Sequence, residues 1–347
     1  MDERSRQTHA IVRRDRVKIT AAIATYNEEA YIGRALTDLL AQEGAGKIEI
    51  LVVDGMSRDR TADVVRSFPE YGSKIRLLSN PRRLQVFAWN IALREMRGEY
   101  FAMITAHAEY GKAYFTRCLE TLRRTGAVAV GGVPRPKAET FMGLAIAWCM
   151  SSAFGVGGAR FRYLRKEEQT DTVPLIFAKR SAIEAAGGWD ERIAFDEDSD
   201  LSYRLRERGG RLVVSPAIHV RYYVRESLRG LWKQMYRYGY WRRFTQLKHP
   251  GSVPLRVLAP PALIAALALS AALMPTAARP AALAVPALYA AFIAAAGILA
   301  VRRAGVSAIA VPLALLTMHM AYGAGWWNAL VTMRPQLRDT HDRTFAR

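Results

Sequence analysis

Cysteine is scarce: Cys118 and Cys149 are the only two in 347 residues. They form no CxxC and have no histidine at ligand spacing, so neither a disulfide framework nor a zinc site is indicated. A GxGxxG turn is missing after the first strand-like segment, and GxxxxGK followed by Ser or Thr occurs nowhere, which disfavours a dinucleotide dehydrogenase and a P-loop ATPase. The opening "MDERSRQTHAIVRRDR" lacks an apolar core and a cleavage site, so no signal peptide is read and residues 1–16 are expected to be a solvated basic arm. Acidic residues are also few: 31 Asp and Glu stand against 50 Lys and Arg, a formal charge of +19. That balance admits nucleic acid or an anionic membrane surface as partner.

What the chain has in excess is apolar: 51% of residues are hydrophobic and only 23% charged. Much of the excess lies in three uncharged stretches, Val257 to Met274, Pro280 to Val301 and Ala304 to Met333. Each approaches or exceeds the roughly 18 to 20 apolar residues that span a bilayer. Trp326 and Trp327 in the last read as interfacial anchors, and the basic flank before Val257 places the N-terminal portion in the cytoplasm. The segment from about Glu226 carries Arg229, Lys233 and Arg237 beside Leu228, Leu231, Trp232, Met235 and Tyr236, the pattern of an amphipathic helix. Just before a membrane span, it reads as an interfacial helix on lipid rather than a nucleic-acid binder.

The first two thirds alternate strand and helix: "VKITAAIATY", "EAYIGRALTDLLAQ", "IEILVVDG", "SRDRTADVVRSF", "KIRLLSN", "LQVFAWNIALREM", "YFAMIT". Val/Ile/Leu-rich strands with helical crossovers imply an α/β domain with a mostly parallel sheet. Ligands of such sheets bind at the carboxyl ends of the strands. Those ends are polar every time: Thr25-Tyr26-Asn27-Glu28, Asp54-Gly55, Ser79-Asn80 and Thr105-Ala106-His107. One polar strand end is ordinary turn chemistry, whereas four on one rim favour a site. With no glycine-rich phosphate loop, a divalent cation helped by Arg82 and Arg83 is the economical way to hold a diphosphate. Further on, "FDEDSDLSYRLRERGG" packs Asp196, Glu197, Asp198 and Asp200 at a helix start. That exceeds what dipole compensation needs, and mutual repulsion is expected to lift one of them toward the range of a general base.

"TYNEE", "VVDGMSRDRTADVV", the strand ending near residue 105, "GGWDE" and "DEDSDLSYRLRERG", in this order, resemble family 2 glycosyltransferases of GT-A fold. The basic aromatic stretch and the apolar helices after it are similar to the membrane-bound subgroup of succinoglycan-type exopolysaccharide enzymes. The resemblance runs from about Val17 to Val331. It implies a GT-A domain at 17–223, an interfacial helix at 224–250, a membrane region of about three helices at 256–331 and a polar tail at 334–347. It also implies an inner-membrane, multi-pass protein. The expected substrates are a UDP-sugar donor and a lipid-linked saccharide or nascent polysaccharide acceptor; membrane lipids are expected as partners and nucleic acid is not. Inversion would be a single in-line attack with Mn2+ or Mg2+ on the departing diphosphate.

Carried over residue by residue, Thr25, Tyr26, Glu28 and Asp54 hold the nucleotide, joined at the strand ends by Asn80, Arg82 and Thr105. Asp198 is the base beside Glu197, His107 the metal ligand, and Gln234, Arg237 and Trp241 an element closing over donor and acceptor. The chain departs from the family where Asp-Ala-His would end strand four and Thr105-Ala106-His107 stands instead. A neutral hydroxyl is a poor ligand for a hard dication, so affinity is expected to be weak unless a neighbour such as Glu109 compensates. Met56 also stands where glycine is usual. The rival reading is a catalytically degenerate GT-A membrane protein that partners an active polysaccharide synthase.

Overall fold

A computed structural model describes residues 18–251 and 254–333, so the basic arm at 1–16 and the tail at 334–347 lie outside the described residues. In chain order the elements begin with β1 (Ile19–Thr25), α1 (Ile32–Leu40), β2 (Ile48–Asp54), α2 (Thr61–Arg66), β3 (Ile75–Ser79), α3 (Gln85–Glu95), β4 (Tyr100–Ile104) and β5 (Ala108–Tyr110). They continue with α4 (Tyr114–Thr125), β6 (Ala129–Lys137), α5 (Phe141–Met150), α6 (Ala153–Val156), β7 (Glu168–Gln169), β8 (Phe177–Lys179), α7 (Arg180–Ala185), α8 (Glu197–Glu207) and β9 (Leu212–Tyr223). Five helices close the series: α9 (Leu228–Lys248), α10 (Ala259–Leu273), α11 (Arg279–Ala282), α12 (Ala284–Ala304) and α13 (Val311–Thr332). The residues group into two compact units. A sheet unit takes the described residues up to Pro134 with Leu164–Glu191 and Glu197–Arg221; a helical unit takes Arg135–Tyr163, Arg192–Asp196 and the described residues from Tyr222 on.

In the sheet unit the alternation anticipated from the sequence is present from β1 to β4. Among the described residues the sheet has nine strands in the order β3-β2-β1-β4-β8-β6-β9-β5, with β7 on β9. The pairs β1–β2, β1–β4 and β2–β3 are parallel, whereas β4–β8 and β6–β8 are antiparallel. Helical crossovers cover both faces of the parallel half, which is why its strands carry apolar side chains almost without alternation: Ile19, Ile23, Leu51, Val52 and Phe101 are fully buried. Register then decides what stands at the rim. Thr25 pairs with Asp54 and Asp54 with Ser79, while Ile23 pairs with Ile104, so the polar ends of four strands finish along one edge. Beneath the sheet, Trp189 of the "GGWDE" stretch packs 4.9 Å from Phe101 and 6.4 Å from Trp89. Asn90 of α3 accepts from the Trp189 backbone N–H at 2.9 Å and donates to its carbonyl at 2.8 Å, pinning that loop.

The helical unit is built on small residues and on an apolar core of Ile146, Cys149, Leu231, Met235, Ala300, Val311, Leu315 and Met318. Helix α9 starts at Ser227, whose hydroxyl accepts from Gly230 N–H at 3.2 Å, and runs along α13. The two backbones approach so closely that a Cβ on Gly239 would lie 1.9 Å from the Tyr322 carbonyl oxygen, and one on Gly325 would lie 2.0 Å from that of Tyr236. Such an approach is open only to glycine, as in the small-residue seams of membrane helices. Of the apolar side chains of α9 that read as a lipid-facing stripe, Leu231 and Met235 are buried inside this unit, whereas Trp232 is exposed.

Two helical runs are long and apolar enough to cross a membrane, Leu255–Leu273 and Arg279–Thr332, the latter containing α12 and α13 with a 3-10 turn between them. The three stretches seen in the sequence are thus α10, α12 and α13, the last two in one continuous helical run. The indole N–H groups of Trp326 and Trp327 donate to Gln246 Oε1 at 2.8 Å and to the Pro261 carbonyl at 2.9 Å within the unit.

Candidate active site

Three residues with a side chain adopt left-handed backbone at the rim: Asn27 (φ 55°), Met56 (φ 62°) and Arg83 (φ 63°). Such conformations are uncommon outside glycine and cluster at functional loops. Met56 shows why glycine is usual at that position. The two loops it joins are laced together. Asp54 accepts from Ser57 N–H at 3.0 Å and Ser57 Oγ–H at 2.5 Å, and Ser57 Oγ accepts from Asn27 N–H at 2.9 Å. Asp59 accepts from Thr61 Oγ–H at 2.5 Å, whose oxygen accepts from Glu28 N–H at 2.8 Å. The spacing Asp54, Ser57, Asp59, Thr61 therefore serves first to hold "TYNEE" against the second strand end.

On that scaffold Tyr26 is 41% exposed at the rim, with the Arg83 guanidinium 5.9 Å from its ring. Thr25 is buried and its Oγ lies 3.3 Å from Asp54 Oδ1. Asn80 is buried too, donating to the Leu84 carbonyl at 2.9 Å. Arg82 stacks 3.9 Å over Phe87 and reaches Glu191 at 3.4 Å. The stacked guanidinium stands beside the rim, where an anion would profit from it.

At the end of β4 the chain turns back into β5, a short strand not anticipated from the sequence. Thr105 N–H donates to Tyr110 Oη at 2.9 Å, and burial pushes the Tyr110 phenol well above its ordinary range, so it stays a neutral partner. Thr105 Oγ lies 3.1 Å from His107 Nδ1, which in turn lies 3.3 Å from Glu28 Oε1. The imidazole is 40% exposed and the carboxylate 21%. Glu109, the neighbour expected to compensate, is paired with Arg34 at 2.9 Å. Among the described residues no group of three His, Cys, Asp or Glu side chains converges. Glu28 and His107 nevertheless form an open carboxylate–imidazole pair with a hydroxyl beside it. That donor set fits a dication completed by phosphate oxygens, which for Mg2+ requires only one or two carboxylates from the protein.

The four acids of the "DEDSD" stretch have separate fates. Asp200 is fully buried and paired with Arg204 at 2.7 Å. Glu197 is buried and accepts from the Gln85 amide at the start of α3. Asp196 is paired with Arg242 at 2.7 Å. Asp198 is half-buried, accepts from Ser199 N–H at 2.8 Å through Oδ1, and has no ion-pair partner among the described residues. The crowd of like charges anticipated from the sequence is thus largely resolved by cationic and amide partners at Asp196, Glu197 and Asp200.

Gln234, Arg237 and Trp241 all lie on α9 in the helical unit. Gln234 donates to Tyr238 Oη at 3.3 Å, Arg237 lies 5.0 Å over the Phe195 ring, and Trp241 is buried beside Phe244. Burial, and then the neighbouring Arg225 charge, lower the Arg237 pKa. Sequence reasoning missed Arg242, Thr245, Gln85 and Tyr110; none stands in a motif, and only the last lies at a strand end.

Residues 20–184 match the family described as glycosyl transferase family 2, and residues 175–328 match glycosyl transferase family group 2. Succinoglycan biosynthesis protein ExoA of Rhizobium meliloti (strain 1021) is 28% identical over 315 residues, 90% of this chain and 94% of that protein. The dolichyl N-acetyl-alpha-D-glucosaminyl phosphate 3-beta-D-2,3-diacetamido-2,3-dideoxy-beta-D-glucuronosyltransferase of Methanococcus voltae is 28% identical over 230 residues, 64% of this chain and 71% of that protein. Among solved structures, mannosyltransferase PcManGT from Pyrobaculum calidifontis, in complex with GDP-Man and Mn2+, has the same fold at a TM-score of 0.57 and 23% identity, covering 91% of this chain and 88% of that one. With its GT-A sheet, its polar rim and matches spanning both units, the chain belongs to glycosyltransferase family 2 and is a sugar-transferring enzyme.

Proposed function

We propose that this enzyme is an inverting transferase that moves a sugar from a UDP-sugar to a lipid-linked saccharide or nascent polysaccharide at the cytoplasmic face of the inner membrane. The observation that carries the proposal is Asp198 at the start of α8, a carboxylate without an ion-pair partner among the described residues, beside acids that have partners. Asp198 takes the proton of the acceptor hydroxyl as that oxygen bonds to the anomeric carbon, and the bond from the anomeric carbon to the diphosphate oxygen breaks in line. A single base suffices for this displacement.

Thr25, Tyr26 and Asp54 orient the nucleotide and Arg82 offsets diphosphate charge. Glu28 and His107, with Thr105, would hold a Mn2+ or Mg2+ ion, weakly because the hydroxyl brings no charge. When bound, that ion supplies Lewis-acid stabilisation of the leaving diphosphate. The UDP assignment rests on the family resemblance; the acceptor class is supported by the succinoglycan and dolichyl phosphate names of the two relatives. The membrane placement is supported by the two candidate spans, and the basic residues ahead of them favour a cytoplasmic catalytic domain.

The test is UDP release by detergent-purified protein over UDP-glucose, UDP-galactose and UDP-N-acetylglucosamine, with Mn2+, Mg2+ or EDTA. Asp198→Asn is expected to cut kcat by about 10²- to 10⁴-fold without abolishing UDP binding. Thr105→Asp is expected to tighten Mn2+ binding in the presence of UDP by about tenfold, read from the spin-resonance signal of free Mn2+. No release from any donor, with no UDP binding, would overturn the proposal in favour of the degenerate partner protein.

A further inference from the structure

The family resemblance puts glycine at position 56, where this chain has methionine. Its φ of 62° is a conformation that glycine adopts freely and a residue with a Cβ adopts at a cost. Among the described residues little offsets that cost. Met56 is 49% exposed, so its side chain adds little to the core, and its sulfur accepts from the Ser79 hydroxyl at 3.4 Å, a weak contact. A strained residue on a rim of polar strand ends is the kind of outlier from which a role toward a ligand is inferred.

Three strand ends converge on this residue. Register pairs Thr25 of β1 with Asp54 of β2 and Asp54 with Ser79 of β3. The pairing runs on past the strands, since Gly55 N–H donates to the Thr25 carbonyl at 2.8 Å and Asn80 N–H to the Asp54 carbonyl at 2.7 Å. A Cβ on Gly55 would lie 3.2 Å from the Thr25 carbonyl oxygen and 3.4 Å from Arg83 Cα, so the end of β1 and the loop after β3 both close on the residue before Met56. Tyr26, Met56 and Arg83 therefore stand together, one from each strand end and all within the sheet unit. Tyr26 is 41% exposed, and Arg83 is exposed with its guanidinium 5.9 Å from the Tyr26 ring. A phenol ring, a polarisable thioether and a planar cation, each open to solvent, are groups that favour the faces and edges of a flat heteroaromatic ring.

We infer that Met56 is a specificity-determining residue for the nucleobase of the donor: with Tyr26 and Arg83 on the neighbouring strand ends, its side chain supplies an apolar wall for a pyrimidine ring and occupies room that the second ring of a purine would need. The inference rests on the reading that Thr25, Tyr26 and Asp54 orient the nucleotide of a UDP-sugar. It adds an excluding element to an attractive one, the arrangement by which a site separates two related ligands. A glycine here would relax the backbone and leave the slot open to either base.

The test is the Kd of UDP and of GDP, by calorimetry with Mn2+ present, for the full-length detergent-purified protein and for Met56→Gly, with the melting temperature of each. The parent is expected to bind UDP more tightly than GDP. In Met56→Gly the Kd for UDP should rise about 2- to 10-fold while that for GDP stays level or falls. The melting temperature should stay level or rise, because glycine takes up φ 62° freely. Met56→Leu, which keeps an apolar side chain, should hold UDP affinity within about twofold of the parent. If Met56→Gly purifies poorly, Met56→Asn, which tolerates the left-handed region and carries a polar tip, should show the same loss for UDP. An unchanged Kd for UDP in Met56→Gly, equal losses for both nucleotides, or a melting temperature that falls in step with affinity would overturn the inference. A parent that binds neither nucleotide would sink the donor reading itself, whereas a parent that binds UDP no differently from Met56→Gly would sink the role of Met56 alone.

Discussion

The sheet unit and the helical unit are both rich in aliphatic residues and place them oppositely. In the sheet unit Ile19, Leu51, Val52 and Phe101 are wholly buried. In the helical unit Leu288, Ile298, Val306 and Ile309 are 71% to 84% exposed, and glycines stand where α9 and α13 approach most closely. A protein that folds in water hides large apolar side chains and has polar ones to spare at the strand ends. Where lipid is the solvent, large apolar side chains can face outward, and close approach of small residues holds the helices together. The difference teaches where each unit keeps its specificity: in the sheet unit on loops at the rim, in the helical unit at seams that admit no side chain.

The strongest blow to this contrast would come from Gly239→Leu. With the site of the missing Cβ 1.9 Å from the Tyr322 carbonyl, leucine cannot be accommodated without parting α9 from α13, and loss of folded, monodisperse protein on size-exclusion chromatography is expected. Normal yield and an unchanged melting temperature would show that the seam does not hold the unit together.

A smaller effect, aimed at the solvent itself, is expected of Ile298→Lys. A lysine at the centre of a helix that crosses a bilayer costs about 2.5 to 3.5 kcal/mol, and Ile298 is 74% exposed on α12, so the amount recovered in the membrane fraction should fall severalfold. Tyr71→Lys, at an exposed position of the sheet unit, serves as the matched control and should leave yield unchanged. Equal behaviour of the two variants would break the comparison.

The smallest effect belongs to ordinary surface electrostatics in the sheet unit. The two-pronged contact of Arg124 with Glu167, at 2.9 and 2.6 Å, holds the Glu167 pKa below its usual 4.5, chiefly through the Arg124 hydrogen bond. A depressed carboxylate pKa stabilises the fold above the unfolded value, and that stabilisation is lost as pH falls through the folded value. Arg124→Ala should therefore melt about 1 °C below the parent at pH 7, with the gap closing by about pH 3. A gap that persisted at low pH would assign the effect to packing of the arginine stem.

The alternation from β1 to β4 was readable because buried parallel strands and amphipathic crossover helices each leave a local pattern. The polar strand ends were readable because each interrupts such a pattern. The three apolar stretches were found for the same reason. The return strand β5 was not, since Ala108–Tyr110 are too few residues to show a period. The fates of the acids were hidden as well, because like charges in a row do not reveal which of them meet Arg204, Gln85 or Arg242. The partners of the Trp326 and Trp327 indoles were hidden too, for Gln246 and Pro261 lie 80 and 66 residues away.

By itself the sequence determined the element types, the mostly parallel sheet, the set of rim residues and the presence of apolar helices. These follow from side-chain period and from runs of one polarity, which are local properties. Only the tertiary structure decided that Glu28 lies beside His107 while Glu109 meets Arg34, that Met56 bears a left-handed backbone, that α9 is sealed against α13, and that Asp196 meets Arg242 while Asp198 has no ion-pair partner among the described residues. Each of these depends on strand register or helix approach, which place together residues that nothing in the linear order connects.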